Sequence, residues 1–469
     1  MTLRSLLIIA IMVPGVFIAL FSRFFALQLY LWFALFRPQE WLWVDISQLR
    51  LSLVLGLILL VPALATGVLP NFTHPLSIGA LLFLLSSLLA QVGAIDPVTG
   101  WFWLDYLVRL IVVCLLAVTL ITTVRRFLGV LAVIALSFGF HSAKAGLASL
   151  LLGGVQFSDG LAGSFIDNNG YAMGCAMVMP MLVATGQNLP LLLGRLQERR
   201  WVTLPFYLAA ALTAFTVVSL FSRAGFLALG AVVVMFVLLQ RRRMKAIGLL
   251  GVAALLAFLF VPLPKGYTDR IETISTYEDI GEESALSRLH FWHVALNMAF
   301  DRPLGVGLRN FEAAYNRYDD SAGKFGSRRA VHNSHLQVLA ETGFLGAAAY
   351  ASLFCYSLVI GFRIRARSRS PVLSPLLSRF FFTSATALIV SMVAFVVGGT
   401  FISLALNDMT WLTFALVASL DRLSLQHLAT TGTLADDATA VGGEIGNTAN
   451  PVAAPQSLQP AARDFVWED

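Results

Sequence analysis

Long apolar runs separated by short polar connectors dominate the chain. Leu51–Ala65 (extended by Thr66 and Gly67), Leu76–Ala94, Phe127–Phe140, Ala246–Leu263 and Phe380–Leu404 each approach the roughly 20 apolar residues that carry a helix across a bilayer. Leu6–Leu20 and Phe24–Phe36 precede them, and counting both as full spans would place the N-terminus outside. One of the two is therefore read as a half-span or re-entrant segment, with both termini cytoplasmic. The run count predicts an all-α polytopic membrane protein of about twelve transmembrane helices.

The pattern changes in two places. Between Pro264 and His335 the apolar residues recur at helical spacing instead of in runs: Leu289, Trp292, Val294, Ala295, Met298 and Ala299 follow the plausible caps Ser284 and Ser287. Asp301, Arg302, Pro303 and the Gly305/Gly307 pair end that helix, and Phe311, Ala314, Tyr315 and Tyr318 predict a second, short amphipathic one. After Leu423 the chain turns to Ala, Thr, Gly, Pro and Asp without periodicity, which predicts disorder. The division is thus N-terminal transmembrane helices over 1–263, a large periplasmic loop with amphipathic helices over 264–335, C-terminal transmembrane helices over 336–423, and a disordered cytoplasmic tail over 424–469.

Composition supports the lipid reading. Of 469 residues 58% are hydrophobic and 12% charged, and the mean hydropathy of +0.79 excludes a set of soluble domains. Arg4 and the apolar stretch behind it resemble a signal peptide, but no small-residue cleavage site leads into a polar domain, so the segment reads as an uncleaved anchor. Cys114, Cys175 and Cys355 fall in apolar spans, where thiols act as small hydrophobes and report no redox compartment. A net charge of +6 would suit nucleic acid if the basic residues shared one soluble face. Instead they cluster at span ends: Arg125 and Arg126; Arg195, Arg199 and Arg200; Arg241, Arg242, Arg243 and Lys245; Arg363, Arg365, Arg367 and Arg369. The positive-inside rule puts these on the cytoplasmic side of an inner-membrane protein. Trp101–Trp103, Gly163–Gly170, the Ser222/Arg223 kink and the 264–335 loop then meet on the opposite, periplasmic face.

Charges at membrane depth need a partner or a task. Asp105 and Arg109, four apart, read as a structural ion pair. Lys144, with His141 one turn earlier and no carboxylate within a turn, suits either an anionic ligand or a carboxylate from another helix. Arg223 either snorkels to headgroups or serves a site on its face. Arg302, Arg309, Arg317, Arg328 and Arg329 read as solvated surface, since the loop also holds many acids. In Val331-His332-Asn333-Ser334-His335 an interfacial histidine is a natural general base near neutral pH, and spacing alone does not choose between His332 and His335. A metal site there is weak, because His-x-x-His lacks a close third ligand and Glu341 lies far along the helix. Neither a Walker loop nor a serine-nucleophile elbow is present.

His332-Asn333 followed after nine residues by Gly343-Phe344-Leu345-Gly346 resembles the signature of the O-antigen ligase and O-antigen polymerase superfamily. Gly163-Ser164-Phe165-Ile166-Asp167-Asn168-Asn169, Ser222-Arg223-Ala224-Gly225, Ser287-Arg288 with Trp292, and Asp301-Arg302-Pro303-Leu304-Gly305-Val306-Gly307 resemble it in the same order. With His141-Ser142-Ala143-Lys144-Ala145-Gly146 ahead of them, the likeness is greatest to the ligases, including the O-glycosylation ligases. It implies a GT-C-like glycosyltransferase without a cofactor or metal. The reaction implied is an inverting transfer, at the periplasmic face, of glycan from undecaprenyl diphosphate to a hydroxyl of lipid A-core lipopolysaccharide. By the same resemblance His332 is the general base, Arg223 and Arg288 hold the diphosphate, and Lys144, Asn333 and Asn169 complete the substrate-binding set. Asn333 stands where glycosylation-type ligases often carry Ser, which leaves the acceptor class open. The alternatives are a polymerase or a protein O-oligosaccharyltransferase using the same donor. A lipid-linked sugar flippase is the non-enzyme alternative, although the chain lacks the internal repeat common in transporters.

Overall fold

The computed structural model describes residues 3–41, 50–154, 160–161, 165–193, 200–240, 243–245, 247–248, 251 and 281–445. Before the loop come α1 (Leu3–Phe21), α2 (Arg23–Phe36), α3 (Leu51–Ala65), α4 (Pro75–Val92), α5 (Pro97–Leu120), α6 (Val124–Leu151), α7 (Asn168–Leu193), α8 (Leu204–Ser219) and α9 (Arg223–Leu239). Within it lie α10 (Gly281–Asp301) and α11 (Phe311–Tyr318), and after it α12 (Ser334–Arg367), α13 (Pro375–Gly398) and α14 (Asp408–Ile445). Local chemistry sets many of these boundaries. Proline opens α4, α5, α8 and α13, where its missing N–H costs nothing. Side chains of Asp96, Thr123, Ser222 and Ser374 accept from backbone N–H groups at the starts of α5, α6, α9 and α13.

The fold is all-α and polytopic, but the span count needs correction. Seven helices among the described residues are long and apolar enough to cross a membrane, rather than about twelve. Counting every apolar run as a crossing produces the excess. Helices α2, α3 and α9 have only 14, 15 and 17 residues, short of the roughly 20 that a perpendicular crossing needs. The run Ala246–Leu263 lies mostly outside the described residues, as do 264–280 of the loop. Helix α14 continues through the compositional break at Leu423 to Ile445, and the remainder of the expected tail, 446–469, is outside the described residues.

The bundle core is built where α12 packs on α4, α13 on α7 and α9, and α6 between α7 and α8. Small hydroxyl residues let these helices approach and bond across the interfaces. Ser142 Oγ meets Thr213 Oγ1 at 2.8 Å, Thr216 donates to the Ser142 carbonyl at 2.6 Å, and Ser149 meets Ser219 at 2.9 Å. At one end of the bundle Asp421 pairs with Arg367 and His74, and Arg422 donates to the Val118 carbonyl. The starts of α5, α7, α9 and α12 gather at the other end. Asp105 and Arg109 form the ion pair that their spacing predicts.

On that second end the loop forms a subdomain with its own core. Phe291, Val294, Ala295 and Met298 of α10 pack with Phe311, Ala314 and Tyr315 of α11, and with Val306, Val331 and Ala340. Backbone bonds stitch it to the bundle. Val306 N–H donates to the Ala340 carbonyl and Gly307 N–H to the Glu341 carbonyl, both at 3.0 Å, while Phe344 N–H donates to the Pro303 carbonyl at 3.0 Å. This is possible because α12 opens at Gly343, whose φ of 65° and ψ of −169° are non-helical. A second seam joins the loop to the α4–α5 turn: Arg302 donates to the Gly93 carbonyl and Ile95 N–H to the Val306 carbonyl. The two glycine-bearing motifs of the sequence are thus the two halves of one backbone joint.

Candidate active site

His332 stands in the turn that enters α12, with a left-handed backbone (φ 49°). That turn is fixed from both sides. Asn333 Oδ1 caps α12 by accepting from the His335 and Leu336 N–H groups at 2.9 and 3.1 Å. Ser334 Oγ donates to the Ile402 carbonyl at 2.6 Å and accepts from Leu404 N–H at 2.9 Å. Asn333, expected among the substrate-binding residues, therefore sits with its carbonyl oxygen committed to the cap that aims His332. His335 turns into the bundle instead, its Nε2 3.0 Å from the Val396 carbonyl and its ring beside Tyr350, Phe354 and Phe395. Of the two histidines, His332 is exposed and His335 is half-buried against the bundle.

By surface area His332 is exposed, yet its ring lies 6.3 Å from that of buried Phe291, in a crowded surround. Partial burial is the largest influence on its proton affinity and lowers it. The Arg288 guanidinium is next and acts the same way, as does Arg329 more weakly, while Asp167 and Glu312 oppose them. The net effect holds the His332 pKa below the ordinary imidazole value, so the ring is neutral at neutral pH and free to accept a proton. Arg288, on α10, is half-buried, and burial lowers its pKa from the ordinary guanidinium value, which still leaves it a cation.

Asp167 links this pair to the second arginine. Its Oδ1 accepts from Asn169 and Gly170 N–H, both at 2.9 Å, and so caps α7. Asn169 in turn accepts from Ser222 Oγ at 2.7 Å, and Asn168 donates to the Leu220 carbonyl at 3.1 Å. Ser222 also caps α9 by accepting from Gly225 N–H at 3.0 Å, which sets Arg223 exposed at the first position of that helix. The Asp-Asn-Asn and Ser-Arg-Ala-Gly motifs are thereby interlocked, and Arg223 is held beside the element that carries Asp167. Lys144 lies deeper. Its helix reaches the same end through the Ser149–Ser219 contact, and Lys144 is five residues earlier, about 7.5 Å down the axis.

The fold brings to the site several groups to which residue spacing assigns no role there. Asp167 and Glu312 bias His332, and Glu341, buried on α12, faces a small cavity beside it. A carboxylate inside an apolar helix was the available signal for Glu341. Among the described residues His290, Asp319 and Asp320 bring ligand-capable atoms within 4.8 Å of one another. They act as a staple between α10 and the turn after α11: His290 Nε2 meets Asp319 Oδ1 at 2.8 Å and Nδ1 meets Asp320 Oδ1 at 3.3 Å.

Chemically, the arrangement offers a neutral base at the mouth of the bundle, flanked by one half-buried guanidinium and tied to the turn that presents another. Such a set can take a proton from a hydroxyl while stabilising a developing polyanion. No curated protein matches the chain significantly. Residues 208–351, from α8 through the Gly343 joint of α12, match the family described as O-antigen ligase, so a domain of that family is present and supports the wider superfamily indicated by the motifs.

Proposed function

We propose that this protein is an O-antigen ligase, a glycosyltransferase that moves a glycan from undecaprenyl diphosphate to a hydroxyl of lipid A-core lipopolysaccharide at the periplasmic face of the inner membrane. The observation that carries the reading is the grouping of neutral, exposed His332 with the Arg288 guanidinium at the loop end of the bundle, within the matched domain. In this scheme His332 takes the proton of the acceptor hydroxyl as its oxygen attacks the sugar C1. The bond from C1 to the phosphate oxygen breaks on the opposite face, and its electron pair leaves with undecaprenyl diphosphate, so configuration inverts. Arg288 and Arg223 meet the charge that grows on the leaving diphosphate with forked, charge-assisted hydrogen bonds. The polyprenyl chain stays in hydrocarbon among the helices.

Purified protein supplied with lipid-linked donor and lipopolysaccharide acceptor tests the reading. The expected product is glycan-capped lipopolysaccharide, reduced by at least two orders of magnitude in His332→Ala, in line with the roughly 10²–10⁴ contributed by a general base. Normal transfer by that variant would overturn the base assignment, and longer lipid-linked glycan in place of capped lipopolysaccharide would make the enzyme a polymerase.

A further inference from the structure

Val331, the residue before His332, lines a cavity of about 160 Å³ to which the mechanism above gives no task. It is bounded further by Trp103 of α5, Arg309 and Glu312 of the loop, Gln337 and Glu341 of α12, and Ser403 before α14. Gln337 is only 2% exposed and Glu341 only 3%. Gln337 donates Nε2–H to Glu341 Oε1 at 3.2 Å, but its own Oε1 has no partner, and Ser403 Oγ is likewise buried without one. Unpaired buried polar atoms are costly, so two of them lining one cavity mark a place built to receive a ligand.

The lining defines what fits. Two carboxyl groups, the free amide oxygen, the unpartnered Ser403 hydroxyl and the Arg309 guanidinium offer both acceptors and donors, which suits a ligand rich in O–H groups. With two carboxyl groups beside the single Arg309 guanidinium, the lining is not the cluster of cations that a second phosphate calls for, and its polar wall is unsuited to an acyl chain. Arg309 faces Glu341 from the loop while covering one side of Trp103, its guanidinium carbon 4.7 Å from the ring centroid. Trp103, Phe311 and Val331 supply apolar surface among the polar groups, as a sugar ring requires. The volume corresponds to roughly ten water-sized positions, on the order of one pyranose with its substituents. Position selects the source: Val331, which precedes His332 in the chain, and Glu312, which acts on His332, line the cavity, whereas Arg288, assigned to the leaving diphosphate, does not.

We infer that this cavity is an acceptor subsite that holds one uncharged sugar ring through Gln337, Glu341 and Ser403 and so delivers the neighbouring hydroxyl to His332. The inference rests on the ligase reading for the identity of the acceptor. Its test is therefore a binding measurement that needs no turnover. The full chain in nanodiscs is titrated with lipid-free core oligosaccharide and, separately, with lipid-free donor glycan, followed by saturation-transfer NMR. The core oligosaccharide is expected to bind, with its dissociation constant raised at least tenfold in Gln337→Leu and in Ser403→Ala. Ser403→Ala removes an atom that bonds nothing in the protein, so it leaves the fold intact even if Gln337→Leu does not.

Wild-type affinity in a folded Ser403→Ala variant overturns the inference. So does preferential binding of the donor glycan, and so does oligosaccharide binding that EDTA abolishes, which would make the cavity a cation site. Oligosaccharide binding without any glycan transfer keeps the subsite and removes the ligase reading. Transfer whose acceptor KM is unchanged in both variants does the reverse.

Discussion

Replacing Gly343 by alanine isolates the joint between loop and bundle. The residue occupies φ 65°, ψ −169°, a region open essentially only to glycine, where a side chain costs about 1–3 kcal/mol. A Cβ there would also fall on the Pro303 carbonyl oxygen and on Leu304, so the 303–307 strip must withdraw. Withdrawal breaks three backbone bonds, those of Val306, Gly307 and Phe344 N–H, at about 1 kcal/mol each. The sum, about 4–6 kcal/mol, corresponds to a factor of roughly 10³–10⁴ in the local opening equilibrium. Hydrogen exchange read by mass spectrometry should show that acceleration at 303–307 and 344, with α13 protected as in the parent. Gly67 provides the control: its φ is +74°, but an added Cβ there meets nothing within 4 Å. Gly67→Ala should thus incur only the backbone penalty of about 1–2 kcal/mol, confined to its own turn. Parental exchange at 303–307 in Gly343→Ala would refute the joint.

The remaining predictions concern the site. Transfer should rise with pH as His332 deprotonates, with its midpoint below the ordinary imidazole value of about 6.5. Asp167→Asn removes an anion that favours the protonated ring and so should move the acid limb of kcat/KM to lower pH, whereas an upward or absent shift would deny the coupling. Arg288→Ala should reduce kcat by about 10²–10³, and Arg288→Lys should restore only part of it, because an ammonium lacks the planar fork; full rescue would reduce Arg288 to a point charge. Ser222→Ala breaks both the Asn169 contact and the α9 cap and should lower stability by about 1–2 kcal/mol. A thermal-shift double-mutant cycle with Asn169→Ala should give less than additive loss, and strict additivity would show that the two motifs are not interlocked.

Much of this architecture was legible because it follows from local rules. The helix ending at Asp301 and the short helix with Phe311, Ala314 and Tyr315 buried end and pack as periodicity and the Pro303 break predict, although the first begins at Gly281, so that Ser284 and Ser287 lie within it instead of capping it. The span count was not legible, because hydropathy records how apolar a run is and not how long its helix will be. Helices α2 and α3 are as apolar as true spans but too short. The grouping of the Asp167, Ser222 and His332 segments could be read as a shared face from the basic connectors, but the link through Asn169 Oδ1 and Ser222 Oγ is a long-range contact that no spacing encodes. Gln337 and Ser403 escaped notice for the same reason, and Glu341 was weighed only as a distant metal ligand, since the cavity they line exists only once the loop is stitched onto α12.

That stitching has an evolutionary corollary. Main-chain amides and carbonyls hold the 303–307 strip to α12, and every amino acid except proline supplies the same pair of groups. The joint therefore depends on its glycines, Gly305, Gly307 and Gly343, each in the left-handed region with no room for a Cβ, and not on the identity of the other side chains in the strip. Substitutions elsewhere in the loop can then alter its outer surface while the main-chain seam that fixes the loop on the bundle is kept.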